Sequence, residues 1–373
     1  MVLILKKRLT AAALALTLLT LGAPVSRALG APENSAACAI LTDAASGETL
    51  YEKHADKLMR IASTTKIMTA LVVLEHCALS EEVTIERGWT GVEGSSMYLA
   101  EGETMTVEDL LYGLLLASGN DAAVALACHT AGSVEAFAEL MNERARSLGL
   151  ISTSFRNPHG LDEEGHYSTA RDLAAITRAA MENETFARIV STSETEAAGR
   201  QLQNHNRLLR EYEGAVGVKT GYTKSAGRIL VSCAEREGLR LICVTIADPD
   251  DWNDHKGLYD WAFGTFYRTD ALGPDAMAFE IPVISGAAPA VTVRAERDFS
   301  LLLTRDDTLS LRTEAPKFVY AGVTAGDEAG RVIVSKNGER LGTVVLRYGS
   351  SVPVDETQKL SAAGRFLRAL FGD

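Results

Sequence analysis

The run Leu241-Ile-Cys-Val-Thr-Ile-Ala247 constrains the fold more than any other segment of the chain. It is too short for an ordinary helix, it is rich in β-branched residues, and its apolar character hardly alternates. A strand of that kind is buried on both faces. A sheet with such a strand at its centre needs a layer against each face. The rest of the chain supplies helices for those layers. Thr64 to Cys77, Val107 to Ala117, Asp121 to Ala131, Val134 to Leu148 and Ala170 to Asn183 all carry apolar residues at helical spacing, and Trp252 to Tyr267 reads as a closing helix. Thr106 precedes Glu108 and Asp109, acids that suit a helix start. Strands lie at both ends of this block. Ala36 to Tyr51 reads as a hairpin turning at Asp43-Ala-Ala-Ser-Gly47, and Val216 to Thr220, Arg228 to Ala234 and Leu239 to Ala247 follow the helices. The expectation is a domain over 31–270 in which the N-terminal hairpin joins the late strands in one sheet with helices on its faces.

Gly273-Pro274 breaks this pattern, and from there short β-rich runs alternate with turns, Ser335-Lys-Asn-Gly338 being a hairpin turn. A small β-sandwich over 275–350, serving as a spacer or recognition module, is expected. The two ends carry localisation signals. Lys6, Lys7 and Arg8 precede the apolar run Leu9 to Leu21, and small residues follow at Ala28-Leu29-Gly30, so 1–30 reads as a cleaved export signal. In the tail 351–373, a helix over Leu360 to Phe371 would set Leu360, Ala363, Phe366, Leu367, Leu370 and Phe371 opposite Arg365 and Arg368. Such a helix either lies in a membrane interface or docks on its own domain.

The formal charge is −12, and removing the four basic residues of the export segment gives −12 − 4 = −16. A body this acidic argues against nucleic acid as a partner. Five scattered cysteines (Cys38, Cys77, Cys128, Cys233, Cys243) do not make a disulfide scaffold and read as small buried residues. Cys233 and Cys243 flank a hairpin turn, which leaves a pairing between them open.

Three polar motifs stand out in this apolar setting: Ser63-Thr-Thr-Lys66, Ser118-Gly-Asn120 and Lys219-Thr220-Gly221. If a helix begins near Ser63, hydroxyl and amine three residues apart share one face, and the helix start adds unpaired amides and a positive end. A serine hydroxyl needs a neighbour to take its proton. Lys66 can do so only when neutral, a state that burial and a second cation such as Lys219 both favour. Ser118-Gly119-Asn120 falls between two helices, where a glycine turn can aim a hydroxyl and an amide outward. Lys219-Thr220-Gly221 ends a strand, and Gly221 there permits close backbone approach. Each motif alone is equally a helix cap or a strand end. Together they equip the chain for covalent acyl transfer without metal or other cofactor.

In this order the motifs resemble the penicillin-recognising serine enzymes. The flanking text, Leu41-Thr-Asp-Ala-Ala-Ser-Gly-Glu-Thr-Leu-Tyr51, Ala62-Ser-Thr-Thr-Lys-Ile-Met-Thr-Ala70, Leu116-Ala-Ser-Gly-Asn-Asp-Ala-Ala123, Asn157-Pro-His-Gly-Leu161 and Val218-Lys-Thr-Gly-Tyr-Thr223, is similar to the low-molecular-weight penicillin-binding proteins, serine-type D-alanyl-D-alanine carboxypeptidases of the peptidase S11 type. The resemblance runs over nearly the whole chain after the export segment. It implies an α/β (α+β) β-lactamase/transpeptidase-like domain, an antiparallel sheet flanked by helices, with a small C-terminal β-sandwich. It also implies that Ser63 attacks the carbonyl between two terminal D-alanines of a peptidoglycan stem peptide and that Lys66 takes its proton. Ser118, held by Asn120, would serve the leaving group, and Lys219 and Thr220 the terminal carboxylate. The amides of Ser63 and Tyr222 would form the oxyanion hole, with Gly221 between, and β-lactam antibiotics would acylate Ser63.

Two features qualify the resemblance. Many members carry an arginine near the substrate carboxylate after the strand that follows Lys-Thr-Gly, where this chain reads Ala247-Asp-Pro-Asp-Asp-Trp-Asn-Asp-His255. That stretch is expected to be a solvated acidic loop, and His159 and His166 to be packing or hydrogen-bonding residues. A serine β-lactamase on the same fold is the nearest alternative. Class A β-lactamases use Ser-Asp-Asn and a loop glutamate, whereas this chain has Ser-Gly-Asn and no matching glutamate motif. D,D-endopeptidase action on crosslinks, and a protein of this fold that only binds, are the other readings.

Overall fold

The computed structural model describes residues 30–355 apart from Asp275. Residues 1–29 of the export segment and the tail helix expected over Leu360 to Phe371 lie outside the described residues. The chain opens with β1 (Cys38–Asp43) and β2 (Thr49–Lys53), then α1 (Lys66–His76), a small hairpin of β3 (Glu82–Thr84) and β4 (Thr104–Thr106), and helices α2 (Val107–Leu115), α3 (Asn120–Ala131), α4 (Val134–Ser147), α5 (Ala170–Met181) and α6 (Glu184–Ser191). A second small hairpin, β5 (Glu194–Ala197) with β6 (Arg200–Gln203), and the one-turn α7 (Leu208–Glu211) lead to three long strands, β7 (Ala215–Thr223), β8 (Gly227–Arg236) and β9 (Leu239–Ile246), and to α8 (Asp251–Thr265).

The main sheet runs β2-β1-β9-β8-β7, every neighbouring pair antiparallel. The apolar run is its central strand. Its side chains feed two separate clusters: Ile242, Val244 and Ile246 face the cluster built by α1 to α6, and Leu241 and Cys243 face α8. Alternation along the strand also decides the cysteine question. Cys233 sits opposite Ile242, one step out of register with Cys243, so the two thiols project from opposite faces. All five cysteines are free. Cys38, Cys233 and Cys243 are buried as expected, whereas Cys77 and Cys128 are only half-buried, at the ends of α1 and α3.

The helices start where short polar side chains satisfy open amides. Thr106 and Asp109 form a reciprocal capping box on α2, and Ser133, Thr169 and Asn183 cap α4, α5 and α6. In α3 the alanines leave no bulk, and Asn120 through Ala127 are all buried, so this helix runs through the middle of the layer. It can therefore deliver Asn120 from its first turn into the interior.

Beyond α8 the chain forms β10 (Phe266–Leu272), β11 (Ala278–Ile284), β12 (Ala290–Ala295), β13 (Phe299–Thr304), β14 (Leu309–Glu314), β15 (Val319–Tyr320), β16 (Glu328–Lys336) and β17 (Glu339–Tyr348). Six of them make a sheet ordered β14-β16-β17-β12-β11-β15, and β10 pairs with β13. Lys336 pairs with Glu339 across the two-residue turn Asn337-Gly338, both with positive φ, which is the hairpin expected there. These strands enclose their own apolar cluster, including Val293, Val332, Val344 and Leu346. Among the described residues no helix is long and apolar enough to cross a membrane.

Candidate active site

Ser63 does not lie on the α-helix. It occupies a 3₁₀ turn, Ala62–Thr65, that runs directly into α1 at Lys66. The tighter turn eclipses side chains three apart, and Lys66 Nζ lies 3.1 Å from Ser63 Oγ. The turn is entered through Ala62 at φ +44 and is pressed from behind by Gly160, where a Cβ would sit 1.8 Å from the Ala62 carbonyl oxygen. Ser118 also has a positive φ, +60, between α2 and α3. Non-glycine residues held in this region mark places where the surroundings impose the backbone.

Lys66 is fully buried, and its Nζ has three neighbours: Ser63 Oγ, Asn120 Oδ1 at 2.6 Å and the His159 carbonyl at 2.9 Å. The last two oxygens can only accept. A neutral amine satisfies both with its two N–H groups and turns its lone pair to the one neighbour that has a proton to give, Ser63. Burial, then the nearby Lys219 cation, hold the Lys66 pKa well below its usual value, with Asp121 opposing. Asn120 is fixed in turn, its amide nitrogen donating to the Glu93 carbonyl at 2.5 Å. Asp121 accepts from the Met97 and Leu99 amides and from Ser96 Oγ, which shapes the neighbouring loop.

Lys219, Thr220 and Gly221 lie inside β7, which runs on to Thr223 and forms the outer edge of the sheet, so the motif sits within a strand and not at its end. Lys219 is buried and donates to the Thr220 carbonyl at 3.0 Å; burial pushes its pKa down to about 7. Gly221 passes against the Ser63 turn, where a Cβ would come 3.2 Å from Ser63 N. Tyr222 is exposed at the strand's end.

These groups meet at a cleft of about 480 Å³ lined by Ser63, Ser118, Thr220, Gly221 and Tyr222, with Lys66, Asn120 and Lys219 buried. A larger depression of about 830 Å³, near Arg236, Phe263 and Arg305, contains none of the motif residues. Six residues the motifs did not single out also line the cleft: Ser95, His205, Arg228, Ile229, Asp251 and Trp252. Arg228 alone carried a signal, a charge opening an otherwise apolar strand. His159 contributes its carbonyl to Lys66, and the His166 ring hydrogen-bonds Thr65 Oγ1 and the Arg156 amide, both structural uses. The acidic stretch after β9 is not a solvated loop. Asp251 opens α8, and Asp248, Asp251 and His255 are buried, His255 against Ser232 and Thr245. Away from the cleft, Cys77, Glu81 and His129 bring a thiol, a carboxylate and an imidazole within 4.8 Å of one another, already joined by a His129–Glu81 ion pair and a Cys77–Thr130 hydrogen bond.

The geometry is that of a serine hydroxyl beside a buried lysine amine, next to a strand edge carrying a second buried lysine. Comparison with known proteins agrees. The family model described as D-alanyl-D-alanine carboxypeptidase, peptidase S11, matches residues 26–250. The chain is 32% identical over 356 residues to the D-alanyl-D-alanine carboxypeptidase DacF of Bacillus subtilis, covering 91% of this chain and 90% of that one. It is 35% identical over 331 residues to the D-alanyl-D-alanine carboxypeptidase DacC of Escherichia coli, covering 83% and 82%. Among solved structures, penicillin binding protein 5 from Haemophilus influenzae superposes with a TM-score of 0.72 at 30% identity, over 87% of this chain and 99% of that one. This chain belongs to the S11 family of serine-type D-alanyl-D-alanine carboxypeptidases.

Proposed function

We propose that the protein removes the terminal D-alanine from peptidoglycan stem pentapeptides through an acyl-enzyme on Ser63, outside the cytoplasmic membrane, and that β-lactams acylate the same serine. The observation that carries this reading is the set of neighbours around Lys66 Nζ, two pure acceptors and one hydroxyl. Lys66 takes the Ser63 proton as Oγ attacks the carbonyl between the two D-alanines. The backbone N–H groups of Ser63 and Tyr222 receive the developing oxyanion. Ser118, positioned beside Asn120, returns a proton to the departing D-alanine nitrogen, and Lys219 and Thr220 bias the cleft toward an anion. Water then hydrolyses the ester. The substrate lies along the free edge of β7, extended beside Lys219, Thr220 and Gly221, since an edge strand offers main-chain groups to an added chain.

The export segment 1–30 and the tail 351–373, the latter as a membrane-surface helix, would place the peptidase domain 31–270 at the cell wall, with 275–350 as spacer or recognition module. The test pairs intact-mass measurement after penicillin treatment with D-alanine release from a D-Ala-D-Ala pentapeptide. A stable one-to-one adduct that Ser63→Ala abolishes, together with D-alanine release, supports the reading. Fast antibiotic turnover without release makes the protein a β-lactamase. Cleavage of crosslinked dimers in preference to pentapeptide makes it an endopeptidase. Absence of both adduct and release leaves a binding protein.

A further inference from the structure

Three segments distant in the chain meet at the end of α1 far from Lys66. Cys77 is the first residue past α1, Glu81 stands just before β3, and His129 lies in the last turn of α3. Their thiol sulfur, a carboxylate oxygen and an imidazole nitrogen lie within 4.8 Å of one another, and His129 Nε2 is 3.0 Å from Glu81 Oε2. Around a tetrahedral zinc ion, with its sulfur ligand at about 2.3 Å and nitrogen or oxygen at about 2.0 to 2.2 Å, ligand atoms stand about 3.3 to 3.6 Å apart. Small side-chain adjustments bring the three atoms to that spacing.

Two of the three side chains are already oriented by neighbours. The Ala78 amide donates to Glu81 Oε1 at 2.6 Å, which leaves Oε2 as the oxygen beside the imidazole. The Thr130 hydroxyl gives its proton to the Leu126 carbonyl at 2.7 Å, so at 3.3 Å from Cys77 Sγ its oxygen accepts from the thiol. Outer contacts of this kind hold metal ligands in place. The electrostatics also suit a cation. Both α1 and α3 end here, where helix carbonyls favour positive charge, and among the described residues no lysine or arginine pairs with Glu81. The side chains of His129 and Glu81 are 24% and 43% exposed, so an ion can enter from solvent and keep a water ligand.

We propose that Cys77, Glu81 and His129 bind one zinc ion, with water as the fourth ligand, as a clasp between the ends of α1 and α3. A thiolate, an imidazole and a single carboxylate select a borderline transition metal over magnesium or calcium, which require more oxygen ligands. On binding, the Cys77 thiol releases its proton to solvent as the zinc–sulfur bond forms, and Nε2 presents its lone pair with the ring proton on Nδ1. The clasp ties together two helices whose opposite ends carry Lys66 and Asn120. The 11 residues of α1 span about 16 Å, so the ion is structural and remote from Ser63. The proposal stands independently of the carboxypeptidase reading.

The experiment titrates chelator-treated, reduced protein with Zn²⁺ alone and with Co²⁺ alone. The proteins compared are the wild type, Cys77→Ser, Glu81→Gln, His129→Gln and, as a control at the other half-buried thiol, Cys128→Ser. The wild type and Cys128→Ser should take up one equivalent of zinc, more tightly as pH rises. Their melting temperature should climb by about 4 °C once free zinc reaches about 100 times its dissociation constant. Cobalt should give a thiolate-to-metal charge-transfer band in the near ultraviolet, which Cys77→Ser removes. Glu81→Gln and His129→Gln should weaken zinc binding by at least about 10-fold. Glu81 is exposed, so its variant folds even where a buried substitution does not. A wild type that binds no zinc, a cobalt complex without the thiolate band, or zinc affinity unchanged in Glu81→Gln and His129→Gln overturns the site.

Discussion

Substituting Asn120 by aspartate tests the neutral-lysine argument with one atom. Asn120 Oδ1 is 2.6 Å from Lys66 Nζ, and both residues are buried. A carboxylate at that distance in a water-poor site favours the ammonium and raises the lysine pKa by about 1 to 3. At a pH below the resulting value, each such step removes a factor of about 10 from the neutral fraction. Acylation at neutral pH should therefore fall by about 10- to 1000-fold. A second effect accompanies it: the introduced carboxylate would have no N–H for the Glu93 carbonyl, which Asn120 reaches at 2.5 Å, and the facing acceptors cost about 1–3 kcal/mol of stability. The two effects separate by pH. The assay is the second-order rate of acylation by a reporter penicillin from about pH 6 to about pH 10, with Asn120→Ala as the uncharged control. Asn120→Asp should recover much of its rate at the alkaline end, its profile displaced upward, whereas Asn120→Ala should lose rate without that displacement. If the aspartate variant loses rate equally at every pH, Lys66 does not act through its neutral form.

Burial moves Lys219 from 10.5 to about 7, so between those values the unfolded chain binds a proton that the folded chain lacks. Stability must rise with pH across that window, and the penalty is complete below it. Lys219→Met should stabilise the fold by a few kcal/mol near pH 6 and by much less near pH 10 while weakening acylation; equal gains in urea unfolding at both pH values would contradict this. His159 and His255 are held down to about 3 and His166 to about 4, all chiefly by burial. Their unfolded forms protonate first as pH drops below 6.5, so stability should fall toward pH 4 at up to ~4 kcal/mol per pH unit for three protons, and thermal melts at descending pH should register it. Gly160→Ala places a methyl on the Ala62 carbonyl at a positive φ. It should destabilise the protein by several kcal/mol and abolish acylation, and a normal penicillin adduct on a folded variant would count against the packing described.

The parts of the fold that reached into the sequence were those with strong periodicity. The run from Leu241, as far as Ile246, forms the sheet centre, the helix spans agree within a few residues at their ends, and the three motifs converge on one cleft. What stayed hidden was decided by tertiary contact. Glu184–Ser191 is a helix capped by Asn183, too short for periodicity to stand out, and the hairpins at 82–106 and 194–203 have strands of three or four residues. The acidic stretch misled because burial of Asp251 depends on Arg228, a residue on another strand. Asp248 and Asp251 read as solvated only as long as their partners are unseen. Likewise, the bonds of Lys66 to Asn120 and to the His159 carbonyl come from segments far away in the chain.

The pairing of β1 with β9, Cys38 opposite Ile246, bears on the order in which the molecule can be assembled. As a chain emerges N-terminus first, β1 and β2 appear with one edge open, and the strand that covers it appears only after every helix of the layer. Until then the turn that carries Ser63 has no wall, because Gly221 of β7 is what lies against it. Closure of so distant a pairing is slow and leaves an exposed edge in the meantime. The site cannot be tried out on a partial chain: Ser63, Lys66 and the β7 edge come together in the same late event that completes the sheet.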